Sequence, residues 1–432
     1  MIKSNRFARP VGTTAIVAGA VLLSACTTPA ETAGPDQPVT ARGSEASDHA
    51  RPTASAADVT EQRRATPRLA ATYDGGMVVL DARTLDPIAD LRLEGYNRLS
   101  PSGDDRHVAV STSGGFRMLD TGTWAEPHGD HAHHYTAEPA LSDVLVEAET
   151  PGHVVAHGGR TAFFDDGAGR ITVVDSEEVA DPAAERSVIE SESAHHGVAV
   201  VGPAGEIVST LGDDDARTGL IARSGDGEES ARTEECPGVH GEAAASDALV
   251  FGCTDGVVVY SGGRFTKVDA PDQYGRIGNQ AGSPVSPVVL GDYKVDEDAD
   301  LERPTRVSLI DTRTSTLRLV DLPASYSFRS LGRGPEGQAL VLGTDGRLHE
   351  IDPETGRLTR SLDVVEPWTE PLDWQEPRPT LYVRGGTAYV TEPDSRRLVA
   401  VDLADGRVRA EVTLDQAVDE ITGVGGDAPE DR

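Results

Sequence analysis

The feature that most constrains this chain is a repeat. A short apolar strand, a Gly/Asp turn and a second apolar strand recur from Leu69 onward, often closed by an Asp. Copies lie at Leu69–Asp81, Val108–Asp120, Thr161–Asp175, Val198–Thr210, Ala248–Tyr260, Val307–Asp311, Ala339–Asp352 and Ala388–Asp402. Gly-Gly and Asp-Gly pairs between strand-like runs are hairpin signals, because a tight turn between twisted strands needs residues that tolerate positive φ. Strand–turn–strand units about 40–50 residues apart mark the blades of a β-propeller. The expected fold is therefore all-β, a β-propeller over residues 67–425. Eight blades is the first expectation. Seven is the alternative, because the Val198 copy is weak and the chain ends can share one blade. The 46 Gly and 27 Pro suit short strands and turns, and helical periodicity is absent over any useful length.

The first residues read as an export signal. Lys3, Arg6 and Arg9 precede an apolar stretch from Val11 to Leu23, and small residues lead into Cys26. Residues 1–25 are expected to be a signal peptide ending at a lipobox, with Cys26 as the lipidated residue, so that the chain meets the membrane through an N-terminal lipid. Residues 26–66 carry almost no large apolar side chain. They cannot bury enough surface to fold, and are expected to be a disordered tether. A disordered tail is expected at 426–432.

Charge narrows the partners. With 39 Lys+Arg against 72 Asp+Glu the formal net charge is −33. That excludes a nucleic-acid binder, which needs a basic face, and favours cations or cationic partners. Export also bears on the cysteines. Beyond Cys26, only Cys236 and Cys253 remain. They either join as a disulfide, which the compartment favours, or offer zinc two thiolates with His240 between them.

Histidine is the informative residue among 12 in the chain. His49 falls in the tether, and His107 and His349 stand alone in apparent strands as ordinary positions. Four lie in the run Pro127-His128-Gly129-Asp130-His131-Ala132-His133-His134-Tyr135. Such a tract is a compositional metal signal, and imidazole suits Zn, Cu and Ni. His128, Asp130, His131, His133 and His134 are its candidate ligands, on a loop expected to be flexible. A second set falls at the starts of successive blades: His153 and His157, His195 and His196, and His240 with Glu242. Each of His157, His196 and His240 precedes an apolar strand by a few residues. Equivalent positions on three blades point to one end of the channel, where they can form an open tetrahedral site with Glu242 or Asp166 as the remaining ligand. His content alone does not separate zinc from copper or nickel.

Two rival classes stand beside a metal carrier. For an enzyme, no Gly-x-Ser-x-Gly elbow is present, and Glu242 beside His240 is the one candidate general base. An interaction scaffold would need no metal at all.

Four stretches carry a family resemblance: the His-rich run, Pro151-Gly152-His153-Val154-Val155, His195-His196-Gly197-Val198-Ala199 and Cys236-Pro237-Gly238-Val239-His240-Gly241-Glu242-Ala243. Together they resemble the AztD family, secreted zinc metallochaperones that work with an ABC-type zinc importer. The resemblance runs from Leu69 to about Val424. It implies a propeller, not an enzyme, that binds Zn2+ and passes it to the importer's solute-binding protein. The lipid anchor departs from that pattern and implies that donor and acceptor meet along the membrane.

Overall fold

The computed structural model describes residues 59–427. The expected signal peptide, Cys26 and His49 lie outside the described residues. Among the described residues eight sheets carry four antiparallel strands, one for each hairpin counted in the sequence, and one of them adds a short parallel strand, Gly275–Arg276. They are numbered here as blades 1 to 8 along the chain. The C-terminal strand Ile421–Val424 is the first strand of blade 1, paired antiparallel with Arg68–Tyr73. The chain ends thus share one blade without reducing the number of sheets.

Each blade runs up, down, up, down, and the crossover from its fourth strand leads to the first strand of the next. First strands meet around a ring and later strands lie outward. Eight clusters of buried side chains, almost all Val, Leu, Ile, Ala and a few aromatics, fill the junctions between neighbouring blades. In one of them Leu69 and Leu80 of blade 1 pack on Leu398 and Ala400 of blade 8, which closes the ring. The middle strands of the blades are therefore buried on both faces and read as apolar runs, such as Arg68–Tyr73, Gly76–Asp81 and Arg160–Asp165, whereas outer fourth strands such as Leu358–Asp363 alternate with solvent.

The Asp residues that mark the repeat have a local cause. Asp81, Asp120, Asp175, Asp311 and Asp402 end the third strands of their blades, and Asp352 directly follows one. Each accepts a hydrogen bond from the backbone N–H two residues on, an Asx turn that stops the strand. Blade 4 is out of phase with the rest. Its hairpin Val198–Thr210 falls on the first and second strands, Ala199–Val201 and Ile207–Gly212, whereas most copies fall on the second and third. Its third strand, Arg217–Arg223, carries no terminal Asp.

A further three-stranded sheet is inserted between the third and fourth strands of blade 2. It consists of the hairpin Thr123–His128 and His131–Thr136 with Thr60–Gln62 at its side. Thr60–Gln62 corrects the expected tether boundary: Glu61 pairs with Tyr135, so ordered chain begins before residue 66. Backbone pairing with a partner strand orders a segment too polar to build a core of its own. At the other end, the Gly426 N–H donates to the Asp105 carbonyl, which brings the first residue of the expected tail onto the body.

The strand order gives the ring two chemically distinct faces. Fourth-to-first crossovers and second-to-third turns open on one face. First-to-second and third-to-fourth connections, including the inserted hairpin, open on the other.

Candidate metal centres

Among the described residues two groups of three histidines meet the distance requirement for a shared ion, with ligand nitrogens within 4.8 Å of one another. The first is His153, His196 and His240, at the starts of the first strands of blades 3, 4 and 5. Their ring centroids are 5.1 to 5.5 Å apart.

Three local features place these rings. His240 begins its strand opposite Gly252, just after Cys236, which is joined to Cys253 in the neighbouring strand with Cα atoms 5.0 Å apart. The following crossover presses on that strand so closely that a Cβ on Gly252 would lie 1.8 Å from the Ile277 carbonyl oxygen. This brings the Gly278 carbonyl within 2.7 Å of His240 Nδ1. His196 Nδ1 lies 2.5 Å from Asp166 Oδ2, and the other oxygen of Asp166 accepts from the Gly197 N–H. His153 follows Gly152, where a Cβ would stand 2.1 Å from Asp166 Oδ1. Gly152 lets the Asp166 carboxylate approach beside His153, and Gly197, where a Cβ would stand 2.3 Å from the Phe164 ring, lets the chain after His196 pack on blade 3.

A carbonyl only accepts, so the His240 proton sits on Nδ1, and the Asp166 carboxylate fixes the same tautomer in His196. Both Nε2 atoms are left as lone-pair donors, and they face each other at 3.3 Å. Two ligands each about 2.05 Å from a tetrahedral zinc would be about 3.3 Å apart. The pair is thus already spaced for the ion. Asp166 is the partner that orients a ligand, a role distinct from the direct ligand considered from the sequence.

Two of the rings are held toward the neutral form that ligation needs. Burial, then the neighbouring His240 and His196 rings and the Arg98 guanidinium, keeps His153 well below the ordinary imidazole value. Burial lowers His240 to about 3, against the opposing effect of its hydrogen bond to Gly278. The site opens on a cleft of about 700 Å³ lined by Asp166, His195, His196, Asp213, Asp215 and Arg217.

Several expected positions stand elsewhere. His157 is the main correction. It ends the strand Pro151–His157 that His153 enters, four residues and about 13 Å further on, at the opposite face. There its Nδ1 meets the Val201 carbonyl at 2.6 Å. The out-of-phase hairpin of blade 4 explains the substitution: aligning hairpins matched His157 with His196, whereas aligning first strands matches His153. Glu242 is not in the cluster. With no cation beside it, burial raises its carboxyl to about 8. His195 is saturated by Ser193 O and Thr210 Oγ1, both at 2.9 Å. His349 is fully buried against Ser361 and Asp345, and His107 bonds Asp104, as ordinary structural positions do.

The second group is His128, His131 and His133. The run expected as a flexible loop is a β-hairpin, with the two-residue turn Gly129-Asp130 and φ of +63° at Gly129, as a turn of this length requires. His128 pairs with His131 and Glu126 with His133, so the three rings share one face of the ribbon. His128 Nδ1 lies 3.1 Å from His133 Nε2, and His133 Nδ1 lies 2.8 Å from Glu61 Oε1. Glu61 repeats the part of Asp166. It was missed in the sequence because only strand pairing brings it to the hairpin. His134 falls on the opposite face, 3.4 Å from the Gly426 carbonyl. Asp130 projects from the turn, 3.2 Å from His131 Nδ1, outside the cluster. Below the rings Trp124 stacks on Tyr135, and Arg106 lies 4.3 Å over Trp124, anchoring the ribbon to blade 2. Two of these three rings, His128 and His131, are exposed, where in the first cluster only His196 is, and the hairpin belongs to the other face of the ring.

Fold and sites together define a β-propeller with a three-histidine cluster on each face. No protein-family model matches the chain. It is similar to the zinc chaperone AztD of Citrobacter koseri, 26% identical over 360 residues that cover 81% of this chain and 83% of that protein. The crystal structure of Citrobacter koseri AztD superposes with a TM-score of 0.73 at 23% identity, over 85% of this chain and all of that one. The apo structure of the same protein gives 0.72 at 22% identity, over the same 85% and again all of that chain. The resemblance to AztD proteins drawn from the four sequence stretches is met by these comparisons, and the propeller with it.

The buried rings make a metal-independent prediction. In the apo chain, the imidazole shifts of His153 and His240 followed by NMR should stay those of neutral rings from pH 8 down to about 5. Protonation of either above pH 5 would contradict the enclosed geometry. The sign for stability follows. The unfolded chain binds these protons near pH 6.5 and the folded chain does not, so apo stability falls as pH drops below that value.

Proposed function

We propose that this chain is an extracytoplasmic zinc metallochaperone that captures Zn2+ and transfers it to the solute-binding protein of an ABC zinc importer. The observation that carries the reading is the facing Nε2 pair of His196 and His240, 3.3 Å apart, with the rear nitrogens committed to Asp166 and Gly278. His153 is the third ligand, and a fourth position stays open for water or an incoming ligand. An open position on three imidazoles suits a cargo that must leave again. Imidazole also discriminates zinc from the calcium and magnesium that the chain's many carboxylates attract. The protein of similar sequence is named as a zinc chaperone and not as an enzyme.

The two clusters divide the work. His153 and His240 are largely enclosed, His196 closes the set from the solvent side, and the three are pre-spaced to hold zinc the more tightly. His128, His131 and His133 lie on the ribbon, the first two exposed, where ligands exchange one at a time with solvent or a partner. Asp130, His134 and Glu242 take no direct part. Export is supported by the basic start, the apolar stretch and the small residues before Cys26, and the joined Cys236 and Cys253 suit an oxidising compartment. Cys26 is the lipid anchor in this reading, and the segment up to residue 58 is the tether to the membrane surface.

Zinc stoichiometry and affinity test the assignment. Alanine at His153, His196 and His240 together should remove the tight equivalent and leave the weaker one. Alanine at His128, His131 and His133 should do the reverse. Retention of tight zinc by the first variant would overturn the assignment, and absence of zinc from the wild type would overturn the carrier reading. Asp166→Ala should weaken the tight site 10- to 100-fold without unfolding the chain, as the loss of a ligand-orienting carboxylate does, measured by competition with a chromophoric chelator. Undiminished affinity would show that Asp166 does not orient His196.

A further inference from the structure

The face that carries His153, His196 and His240 also carries two long acidic loops, one on blade 6 next to blade 5 and one farther round the ring. Residues 364–380 form the crossover from blade 7 to blade 8, and residues 293–305 join the second and third strands of blade 6. Together they hold nine carboxylates and three cations. The crossover is built rather than loose. The Trp368 indole N–H donates to the Gly343 carbonyl, Arg303 donates to the Glu370 carbonyl, and Arg378, 1% exposed, is bound to Glu370 and to the carbonyls of Asp373 and Glu376.

On this fixed base two large apolar side chains point outward. Leu372 is 74% exposed and Trp374 51% exposed. Trp374 stands edge-on to Tyr96, 5.2 Å between centroids, and the Tyr96 hydroxyl accepts from buried Arg329. The crossover therefore reaches from blades 7 and 8 to the rim beside blade 2. An exposed Leu and Trp on a rigid loop contribute nothing to the fold by being in water. A Trp centred among charged residues is the usual composition of a protein-binding hot spot with its polar rim.

We propose that this crossover is a docking surface for a protein whose own surface sets basic residues around an apolar pocket, with Leu372 and Trp374 as the anchors. The carboxylates of both loops steer the partner to the rim and fix its orientation. Because the surface shares a face with the enclosed histidines, the partner that seats on it is the one that takes zinc from that cluster. This last step rests on the carrier reading above. The hairpin histidines, on the opposite face, take no part in this docking.

The test uses the full-length wild-type chain and the apo solute-binding protein of the same organism's ABC zinc importer. Binding is read by biolayer interferometry and zinc content by elemental analysis. Leu372→Ser with Trp374→Ser should weaken binding at least about tenfold, the scale of a hot-spot anchor, with zinc content unchanged. Glu297→Lys with Glu376→Lys should weaken it as well and flatten its dependence on salt. Alanine at His128, His131 and His133 should leave binding unaffected. Equal binding by the Leu372/Trp374 variant, or no binding by the wild type, would overturn the proposal. A wild type that binds this partner but carries no zinc would instead leave the docking surface standing and remove the carrier reading.

Discussion

The pairing of Ile421–Val424 with Arg68–Tyr73 is the interaction on which the rest depends. It closes a chain of eight sheets into a ring and removes the two edges an open array would expose. Closure also fixes where each crossover ends. The residues just before the first strands are brought to a common rim, and that is where the chemistry collects. One part of the rim carries His153, His196 and His240. Another carries Arg329, bonded to Asp419 and Glu420 directly before the closing strand. Arg98 joins Glu420 from blade 2.

Within that rim the metal-binding potential comes from tautomers as much as from residue types. A carboxylate behind one ring and a carbonyl behind another leave two lone pairs facing a common point. Burial holds His153 and His240 below the ordinary imidazole value, so protons compete less with a metal ion at those two rings. The hairpin reaches a similar arrangement by other means: a two-residue turn, cross-strand pairing and Glu61 from a separate strand. The two clusters lie on opposite faces of the ring, so in the proposed function a partner docked on one face addresses one cluster.

Much of this was legible in the sequence, and the limits are physical. The blades could be counted because their marks are local: Asp residues that close third strands through their own Asx turns, and glycines in the hairpins. The histidine run and His196 with His240 were legible for the same reason. His153 was overshadowed by His157 because blade 4 carries its hairpin one strand out of phase, a shift that no local residue announces. The useful signal was the glycine before His153, which a close-approaching carboxylate requires. Glu61 and Asp166 lie 72 and 30 residues from the rings they orient, and only strand pairing and blade order bring them there. Glu242 looked like a ligand by its place beside His240, but burial without a cation raises its carboxyl to about 8.

The central claim is that imidazoles, three to an ion, hold the zinc. Zinc K-edge X-ray absorption of the chain loaded with one equivalent tests it most directly. The account predicts a first shell of three imidazole nitrogens and one oxygen at about 2.0–2.1 Å. A sulfur scatterer near about 2.3 Å, or a shell of oxygens without imidazole outer-shell scattering, would contradict it.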